Sequence, residues 1–224
     1  MMSVMRKSLR SLAYRTPVHR WLGLGALEDY DKAFWDEKLA GEWKPYLGGT
    51  ISVEARNAIV LALIRIYAPQ AKSLLDMGCA SGSLFRTPGG EGFTYTGVDI
   101  SDVAIRVARQ KSPAGTFHAS SIQDFQPADR YDVIVFGDVL YYLMPEVALE
   151  QVARYASHLN DSGIVIVSMK RDAKSKVIFR LLRSRLTFVN GIIYQEKIEG
   201  PDFKLREDSK RPAYLVTVFN CHSN

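Results

Sequence analysis

Cysteine is scarce in this chain, which has only Cys79 and Cys221 among 224 residues. Two cysteines provide neither a disulfide framework nor a cysteine-based metal site, and their scarcity suits a reducing compartment. Long apolar runs are also missing, because no stretch of about 18 apolar residues occurs, so we expect no membrane-spanning helix. The N-terminal residues lack the continuous apolar segment of a secretory signal. We therefore expect a cytoplasmic protein.

Acidic residues are absent from the first 27 positions, which contain five basic residues. The chain has 29 Lys and Arg against 24 Asp and Glu, a formal charge of +5, so the whole surplus precedes Glu28. We interpret this end as a basic amphipathic arm, although its composition overlaps with that of a mitochondrial transit peptide. Residues 28–169 are mildly acidic, and basic residues predominate again over 170–224.

Helical and strand-like segments alternate from Ser52 onward. With 47% hydrophobic and 24% charged residues, global disorder is excluded. The patterns predict helices over 53–67 (with Ser52 as N-cap), 101–111 and 145–159, and strands over 73–76, 95–98, 116–119, 131–136 and 164–168, with a turn over 160–163. Two last strands, near 187–198 and 213–220, are expected to form an antiparallel pair.

This alternation predicts an α/β fold with a doubly wound, seven-stranded, mostly parallel sheet. Residues 51–224 would form that domain, and residues 1–50 a basic arm and helical lid. Four aromatic residues before position 50 are expected either to cover a ligand or to pack onto the domain: Tyr30, Phe34, Trp35 and Trp43.

A glycine-containing turn follows the first predicted strand, in the segment Leu74–Leu84 (LLDMGCASGSL). Its small residues let a ligand approach the backbone, and the helix that begins there offers free N–H groups. A second carboxylate, Asp99, ends the next strand 23 residues after Asp76, a spacing suited to binding a ribose diol. The dinucleotide pattern G-x-G-x-x-G is not met. A nucleoside cofactor without pyrophosphate fits the shorter turn, with Asp76 near its ammonium group.

The sequence resembles the class I S-adenosylmethionine-dependent methyltransferases over residues 52–220. LLDMGCASG looks like their first motif and YTGVDIS like their second, while HASSIQDF resembles the segment that meets the adenine. YDVIVFGDVLYYL resembles the fourth strand and the segment after it. The resemblance implies a Rossmann-like methyltransferase fold and S-adenosyl-L-methionine as the cofactor.

The same resemblance implies roles for particular residues. The methionine part of the cofactor would be surrounded by Asp76, Gly78, Ala80 and Gly82, while Asp99 would bind the ribose hydroxyls, Ile100 would flank the adenine, and Ser121 and Ile122 would lie at its polar edge. Because an Asp is common in the family where Ser121 stands here, Asp124 is an alternative contact for the adenine amino group. Arg56, on the helix before the first motif, would bind the cofactor carboxylate or else be a solvated charge.

Candidate catalytic residues follow the fourth strand at its carboxyl end, where open α/β sheets bind ligands. Asp138 is a candidate base or acceptor-positioning group, or alternatively a turn residue. Tyr141 and Tyr142 are candidates as well, although such a pair also suits packing at the rim of a site. We predict no metal site, because the histidines have no metal-ligand spacing and no acidic cluster clearly forms one.

The acceptor is less constrained than the reaction. Gly137–Leu140 does not match the [DNS]-P-P-[YFW] pattern of amino-group methylation on adenine or glutamine. A narrower resemblance, through GCASG, VIVFGDVLYYL and residues 168–173, is to rhizobial nodulation N-methyltransferases that act on an amino sugar. It favours methylation of an oxygen or nitrogen of a sugar, glycoconjugate or natural-product intermediate.

The basic segment 170–185 begins at the carboxyl end of the fifth strand and has seven basic residues against Asp172. It is either a solvated helix face or a contact for an anionic acceptor or an anionic membrane surface. Two other functions stay open: an RNA methyltransferase, and a non-catalytic cofactor-binding protein docked to an anionic surface. The acidic centre and the lack of a recognised RNA-binding module count against nucleic acid.

Overall fold

The computed structural model describes residues 30–195 and 213–220. The predicted basic arm over residues 1–27, and the last three residues of the strand predicted over 187–198, lie outside this part of the chain. Six α-helices are α1 (Lys32–Ala40), α2 (Ile51–Tyr67), α3 (Ser83–Arg86), α4 (Asp102–Lys111), α5 (Pro145–Ala156) and α6 (Ala173–Arg183). Seven strands are β1 (Ser73–Met77), β2 (Thr94–Asp99), β3 (Thr116–Ala119), β4 (Tyr131–Gly137), β5 (Leu159–Lys170), β6 (Thr187–Gln195) and β7 (Ala213–Asn220).

The seven strands form one sheet in the order β3-β2-β1-β4-β5-β7-β6. The first five strands in this order pair in parallel, and β7 is antiparallel to both β5 and β6. The predicted doubly wound, mostly parallel sheet with a final antiparallel pair is therefore confirmed. Crossing the sheet between β1 and β4 reverses the strand order, which is where open α/β sheets bind ligands.

Apolar layers cover both faces of the sheet. On one face Phe136 of β4 belongs to the same buried cluster as Tyr155 of α5 and Leu182 of α6. On the other face Val135 clusters with Ile64 of α2 and Ile105 of α4. Neighbouring residues of β4 therefore face opposite layers, which explains why its sequence reads as apolar at successive positions.

Three elements differ from the sequence prediction by more than one residue. Helix α2 begins two residues earlier than expected, with Thr50 as its N-cap, since the Thr50 side chain accepts the hydrogen bond from the Val53 N–H. Helix α5 ends at Ala156. The turn predicted over 160–163 is part of β5, where Asn160 Nδ2 donates to Asp132 Oδ1 at 2.7 Å beside an irregularity in the β4–β5 ladder.

Residues 30–50, which we call the lid segment, consist of α1 and a short 3-10 helix over Lys44–Gly48. Leu39 and Leu47 of the lid segment are buried against Ala104 of α4. A second attachment is polar, since Lys111 Nζ donates to the Leu47 carbonyl at 2.9 Å. Within the two described ranges, no helix has the length and apolar character needed to cross a bilayer.

Candidate active site

The turn after β1 places main-chain atoms at the edge of the sheet where the strands end. Gly78 has a φ of +80°, and a Cβ at this position would lie 2.8 Å from Cβ of Val139. Both the conformation and the space therefore require glycine. Gly82 has a φ of +70° and precedes α3, where a Cβ would lie 2.8 Å from the Phe117 ring. Ala80, between them, is also left-handed, with a φ of +47°.

Asp99 ends β2 beside this turn. Its Oδ2 accepts a hydrogen bond from the Ala80 N–H at 2.9 Å, and its Oδ1 accepts one from the Ser101 N–H at the same distance. Burial raises the pKa of the Asp99 carboxyl, and these two backbone donors oppose that rise. A carboxylate fixed in this way at a strand end is positioned to accept hydrogen bonds from a diol.

Asp76 lies behind the turn. It is almost fully buried, and the Tyr95 hydroxyl donates to its Oδ2 at 2.5 Å. Burial raises the pKa of Asp76 to about 6, while the Tyr95 hydrogen bond and the Arg56 charge lower it and the Asp99 charge raises it. The Asp76 carboxyl is therefore buried and hydrogen-bonded to the Tyr95 phenol.

A cavity of about 870 Å³ opens at this edge of the sheet. Ten of the twelve residues predicted for the cofactor and for catalysis line it: Arg56, Gly78, Ala80, Asp99, Ile100, Ser121, Ile122, Asp138, Tyr141 and Tyr142. Asp76 and Gly82 do not line it, because Asp76 is directed at Tyr95 and the space above Gly82 is filled by Phe117. The structure thus brings predicted residues from the ends of β1, β2 and β4 and from α2 together around one cavity.

Arg56 and Asp138 form an ion pair at the cavity, with Arg56 Nη1 2.9 Å from Asp138 Oδ2. The other oxygen of Asp138 accepts a hydrogen bond from the Ser168 hydroxyl at 2.8 Å. Burial lowers the pKa of Arg56, but the charge and hydrogen bond of Asp138 outweigh it and raise the pKa overall. Arg56 is thus a paired charge in the site, and not the solvated helix charge considered as its alternative.

Aromatic side chains form much of the remaining cavity wall. Tyr142 is central, with its ring centroid 5.0 Å from Tyr30, 4.9 Å from Trp35 and 4.5 Å from Tyr141. We call the lining aromatic residues the aromatic wall; they are Tyr30, Trp35, Trp43, Tyr46, Tyr141, Tyr142, Tyr194 and Tyr214. Of the four aromatic residues predicted to cover a ligand, Phe34 alone does not line the cavity and instead packs on Tyr30 and Trp35.

Sequence reasoning missed Tyr194 and Tyr214, whose rings stack with centroids 5.3 Å apart. They come from β6 and β7 and meet because Tyr194 pairs directly with Tyr214 in the antiparallel ladder. The pairing register of the two strands was the one signal that could have found them. Lys170, the last residue of β5, also lines the cavity, and its Nζ lies 5.0 Å from the Tyr141 ring centroid.

Two phenols of the wall, Tyr141 and Tyr142, remain protonated at neutral pH. Burial raises the pKa of Tyr141 well above its usual value, and the charge of Asp138 adds to the rise. Burial also raises the pKa of Tyr142.

At the predicted adenine edge, the Ser121 hydroxyl donates to Asp124 Oδ2 at 2.6 Å, so Ser121 and Asp124 act as one polar unit.

Comparison with known proteins decides the family. Residues 53–195, well over half of the chain, match a family model described as a methyltransferase domain. The chain belongs to this family. Members of the family use S-adenosylmethionine, which confirms the cofactor inferred from the sequence resemblance.

Two curated relatives of this methyltransferase are sugar-modifying enzymes. It is 30% identical over 124 residues to dTDP-3-amino-3,4,6-trideoxy-α-D-glucopyranose N,N-dimethyltransferase of Streptomyces venezuelae, covering 54% of this chain and 52% of that protein. It is 29% identical over 115 residues to dTDP-3-amino-3,6-dideoxy-α-D-glucopyranose N,N-dimethyltransferase of Streptomyces fradiae, covering 49% and 44%. The methyltransferase thus spans about half the length of these relatives.

A solved structure with a similar fold is the N-methyltransferase NodS of Bradyrhizobium japonicum WM9. The TM-score is 0.59 at 23% sequence identity, and the match covers 74% of this chain and 93% of NodS. This similarity confirms the Rossmann-like methyltransferase fold.

The residues of the cavity fit S-adenosylmethionine. The turn at Gly78 would admit a ligand close to the backbone, and Asp99, held by the Ala80 N–H, would be a fixed acceptor for ribose hydroxyls. Ile100 and Ile122 line the cavity nearby as apolar surfaces suited to an adenine ring. The aromatic wall and Lys170 line the same cavity.

Proposed function

We propose that this methyltransferase transfers the methyl group of S-adenosylmethionine to an amino nitrogen of a sugar or related natural-product intermediate. The observation that carries the proposal is that every carboxylate lining the cavity, among the described residues, is already committed to other partners. Both oxygens of Asp99 accept backbone N–H groups, and both oxygens of Asp138 accept side-chain donors. In this proposal Asp99 binds the ribose and Asp138 balances the charge of Arg56, so neither carboxylate is left to serve as the base for an acceptor hydroxyl group.

This arrangement favours nitrogen over oxygen. An alcohol becomes a good nucleophile only when a base removes its proton, whereas a neutral amine attacks with its own lone pair. Tyr141 and Tyr142 have raised pKa values, so they are hydrogen-bonding phenols and not bases at neutral pH. The names of the two Streptomyces relatives, both N,N-dimethyltransferases of amino sugars, support the same choice.

The residues of the chain mainly orient the cofactor and the acceptor and take little part in bond making. When bound, S-adenosylmethionine supplies an electrophilic methyl group on a sulfonium centre. Gly78, Ala80 and Asp99 hold the cofactor side of the cavity, and the Arg56–Asp138 pair fixes its floor. The aromatic wall packs against the acceptor and excludes water, and alignment of this kind accounts for a large part of an enzymatic acceleration. In the transfer the amine nitrogen would bond to the methyl carbon while the carbon–sulfur bond breaks and S-adenosylhomocysteine leaves, and the methylated nitrogen would then lose one proton to water.

An anionic part of the acceptor would lie beside Lys170. This lysine is the basic residue of the segment 170–185 that lines the cavity, and its Nζ is 3.4 Å from Asp172. Arg171 and Lys174 are close to Lys170 in sequence, so positive charge is in excess over Asp172 in the segment that begins at Lys170. A phosphate-linked amino sugar combines the two features, since it has an amine for methylation and an anion for this end.

The test is a transfer assay with matched acceptors. A nucleoside-diphosphate amino sugar should be methylated, and its analogue with a hydroxyl group in place of the amine should not, with products counted by mass spectrometry. Lys170→Gln should raise KM for the phosphate-linked acceptor by about fivefold or more, because a charge-assisted contact is lost. Arg180→Gln, on the exposed side of α6, is the matched control.

Three results would contradict this proposal. Methylation of the hydroxyl analogue at a similar rate would contradict the choice of nitrogen. Equal KM values for the Lys170 and Arg180 variants would contradict the anionic contact. Asp99→Ala should abolish cofactor binding, and retained affinity would count against the assignment of the cofactor site.

A further inference from the structure

Asp36 joins the lid segment to the loop that follows β2. Its Oδ1 accepts a hydrogen bond from the Ser101 hydroxyl at 2.6 Å and another from the Val103 N–H at 3.1 Å. Its Oδ2 lies 2.8 Å from Nζ of Lys32, one turn earlier on α1. Asp36 therefore uses both oxygens, one of them entirely on the cofactor domain.

Ser101 connects this contact with the cofactor carboxylate. Its N–H donates to Asp99 Oδ1 at 2.9 Å, and its hydroxyl oxygen also accepts the Ala104 N–H at 3.2 Å as the N-cap of α4. Ser101 is completely buried, so water does not replace these partners. Asp36, Ser101 and Asp99 thus form a continuous chain of hydrogen bonds from the lid segment to the cavity.

The same helix presents the aromatic wall. Trp35, the neighbour of Asp36 in α1, lines the cavity and packs edge-to-face on Tyr142. Leu39, one turn later, also lines the cavity and is buried against Ala104. The position of α1 on α4 therefore decides where this part of the wall lies. Asp36 supplies two directional contacts of that interface, beside the ion pair of Lys32 with Asp102.

We propose that Asp36 is a positioning residue that couples cofactor binding at Asp99 to the docking of the lid segment, through Ser101. A ligand that fixes the position of Asp99 also fixes the Ser101 N–H that donates to it. The Ser101 hydroxyl, which donates to Asp36, is then held in place as well. Coupling between two sites is reciprocal, so docking of the lid segment strengthens cofactor binding by the same factor. The inference rests on the cofactor assignment and is independent of the identity of the acceptor.

Intrinsic fluorescence reports on this region directly. The three tryptophans of the chain are Trp21, Trp35 and Trp43, so none follows the lid segment. In a Trp21→Phe background the emission comes from Trp35 and Trp43, which both line the cavity. S-adenosylhomocysteine is the probe, because it occupies the cofactor site without transferring a methyl group.

Asp36→Leu should weaken S-adenosylhomocysteine binding by about tenfold, since two hydrogen bonds to the loop are lost. It should also reduce the fluorescence change at saturation and the protection of residues 30–50 against hydrogen exchange that the probe induces. Asp36→Asn keeps an oxygen for Ser101 and Val103, so it should stay within about twofold of the parent. Glu42→Gln, which removes a lid carboxylate paired with Lys38, is the matched control and should change none of these three readouts.

Wild-type affinity and a full fluorescence change in Asp36→Leu would overturn the inference. If Asp36→Leu does not fold, as judged by circular dichroism, Ser101→Ala breaks the same chain at its middle and should weaken probe binding and lid protection in the same direction. Unchanged binding in that variant would overturn the inference as well. Failure of the parent chain to bind S-adenosylhomocysteine would instead refute the cofactor assignment, so the two failures are distinguishable.

Discussion

Arg56 Nη1 donates a 2.9 Å hydrogen bond to Asp138 Oδ2, joining α2 to the loop after β4 across 82 positions of sequence. Asp138 also has a φ of +56°, an uncommon conformation for a residue other than glycine. Strained residues of this kind persist when the surrounding contacts hold them, and here Arg56 and Ser168 supply those contacts. The pair therefore fixes the backbone beneath the proposed acceptor.

Removing the carboxylate from this pair should cost stability. Asp138→Asn tolerates the left-handed conformation but leaves the Arg56 guanidinium without its counter-charge, and the expected loss is about 2 kcal/mol in the free energy of urea unfolding. Glu42→Gln, in the exposed pair with Lys38, should leave unfolding unchanged. Equal effects of the two substitutions would show that the partly buried pair contributes no more than a surface pair.

The same variant tests the role of Asp138 in catalysis. If Asp138 fixes the backbone at the cavity through its pair with Arg56 and removes no proton, Asp138→Asn should lower turnover of an amine acceptor. The pH–rate profile should then keep its shape. Loss of the acid limb of the profile, with an otherwise folded enzyme, would instead establish Asp138 as the general base.

The cofactor half of the site could be predicted because it is local in sequence. The turn at Gly78 and the strand end at Asp99 each lie within one short motif, and parallel strands bring their carboxyl ends together. The ion pair of Arg56 with Asp138 could not be predicted, because it depends on how α2 lies against the end of β4. Tyr194 and Tyr214 could not be predicted for a similar reason, since only the β6–β7 register places them side by side.

Side-chain direction was the feature of the site that the sequence indicated least. Asp76 sits in the first motif as expected, but the Tyr95 hydroxyl occupies its carboxylate and the cavity does not reach it. A contact between Asp76 and the cofactor therefore stays a prediction. Nothing in the spacing of a strand indicates which neighbouring strand will supply a phenol to a buried acid.

Gly78→Ala should damage the cofactor turn. A Cβ at this position would lie 2.8 Å from Cβ of Val139, and the φ of +80° is unfavourable for alanine. We expect a loss of about 2–4 kcal/mol in unfolding free energy, together with weaker binding of S-adenosylhomocysteine by calorimetry. Gly48→Ala is the control, because a Cβ there meets no atom within 4 Å. Similar behaviour of the two alanine variants would contradict the steric argument.

Asp76 should make stability depend on pH in a recognisable direction. Its pKa is about 6 in the folded protein, against an ordinary value of 3.8. Below the ordinary value the carboxyl is protonated in both states; as pH rises to about 6 the unfolded chain loses its proton first, so folding becomes less favourable. The stabilisation is therefore present at acid pH and lost as pH rises through about 6.

Asp76→Asn removes this titration. Urea unfolding of both proteins should show the wild type losing about 2 kcal/mol relative to the variant between about pH 4.5 and about pH 7.5. The comparison isolates Asp76, because every other titrating group is common to the two proteins. Parallel stability curves over this range would contradict the raised pKa.

The aromatic wall should act on acceptor binding and not on proton transfer. Tyr141→Phe and Tyr142→Phe keep the rings and lose hydroxyls that are protonated at neutral pH, so turnover should stay within about threefold of the wild type. Trp35→Ala removes a ring that packs on Tyr142, and it should raise the acceptor KM by about tenfold or more with a smaller change in kcat. Trp35→Phe, which preserves an aromatic ring, should recover most of this loss. A large fall in kcat for either phenylalanine variant of the tyrosines, without a change in KM, would show that the phenol itself takes part in the chemical step.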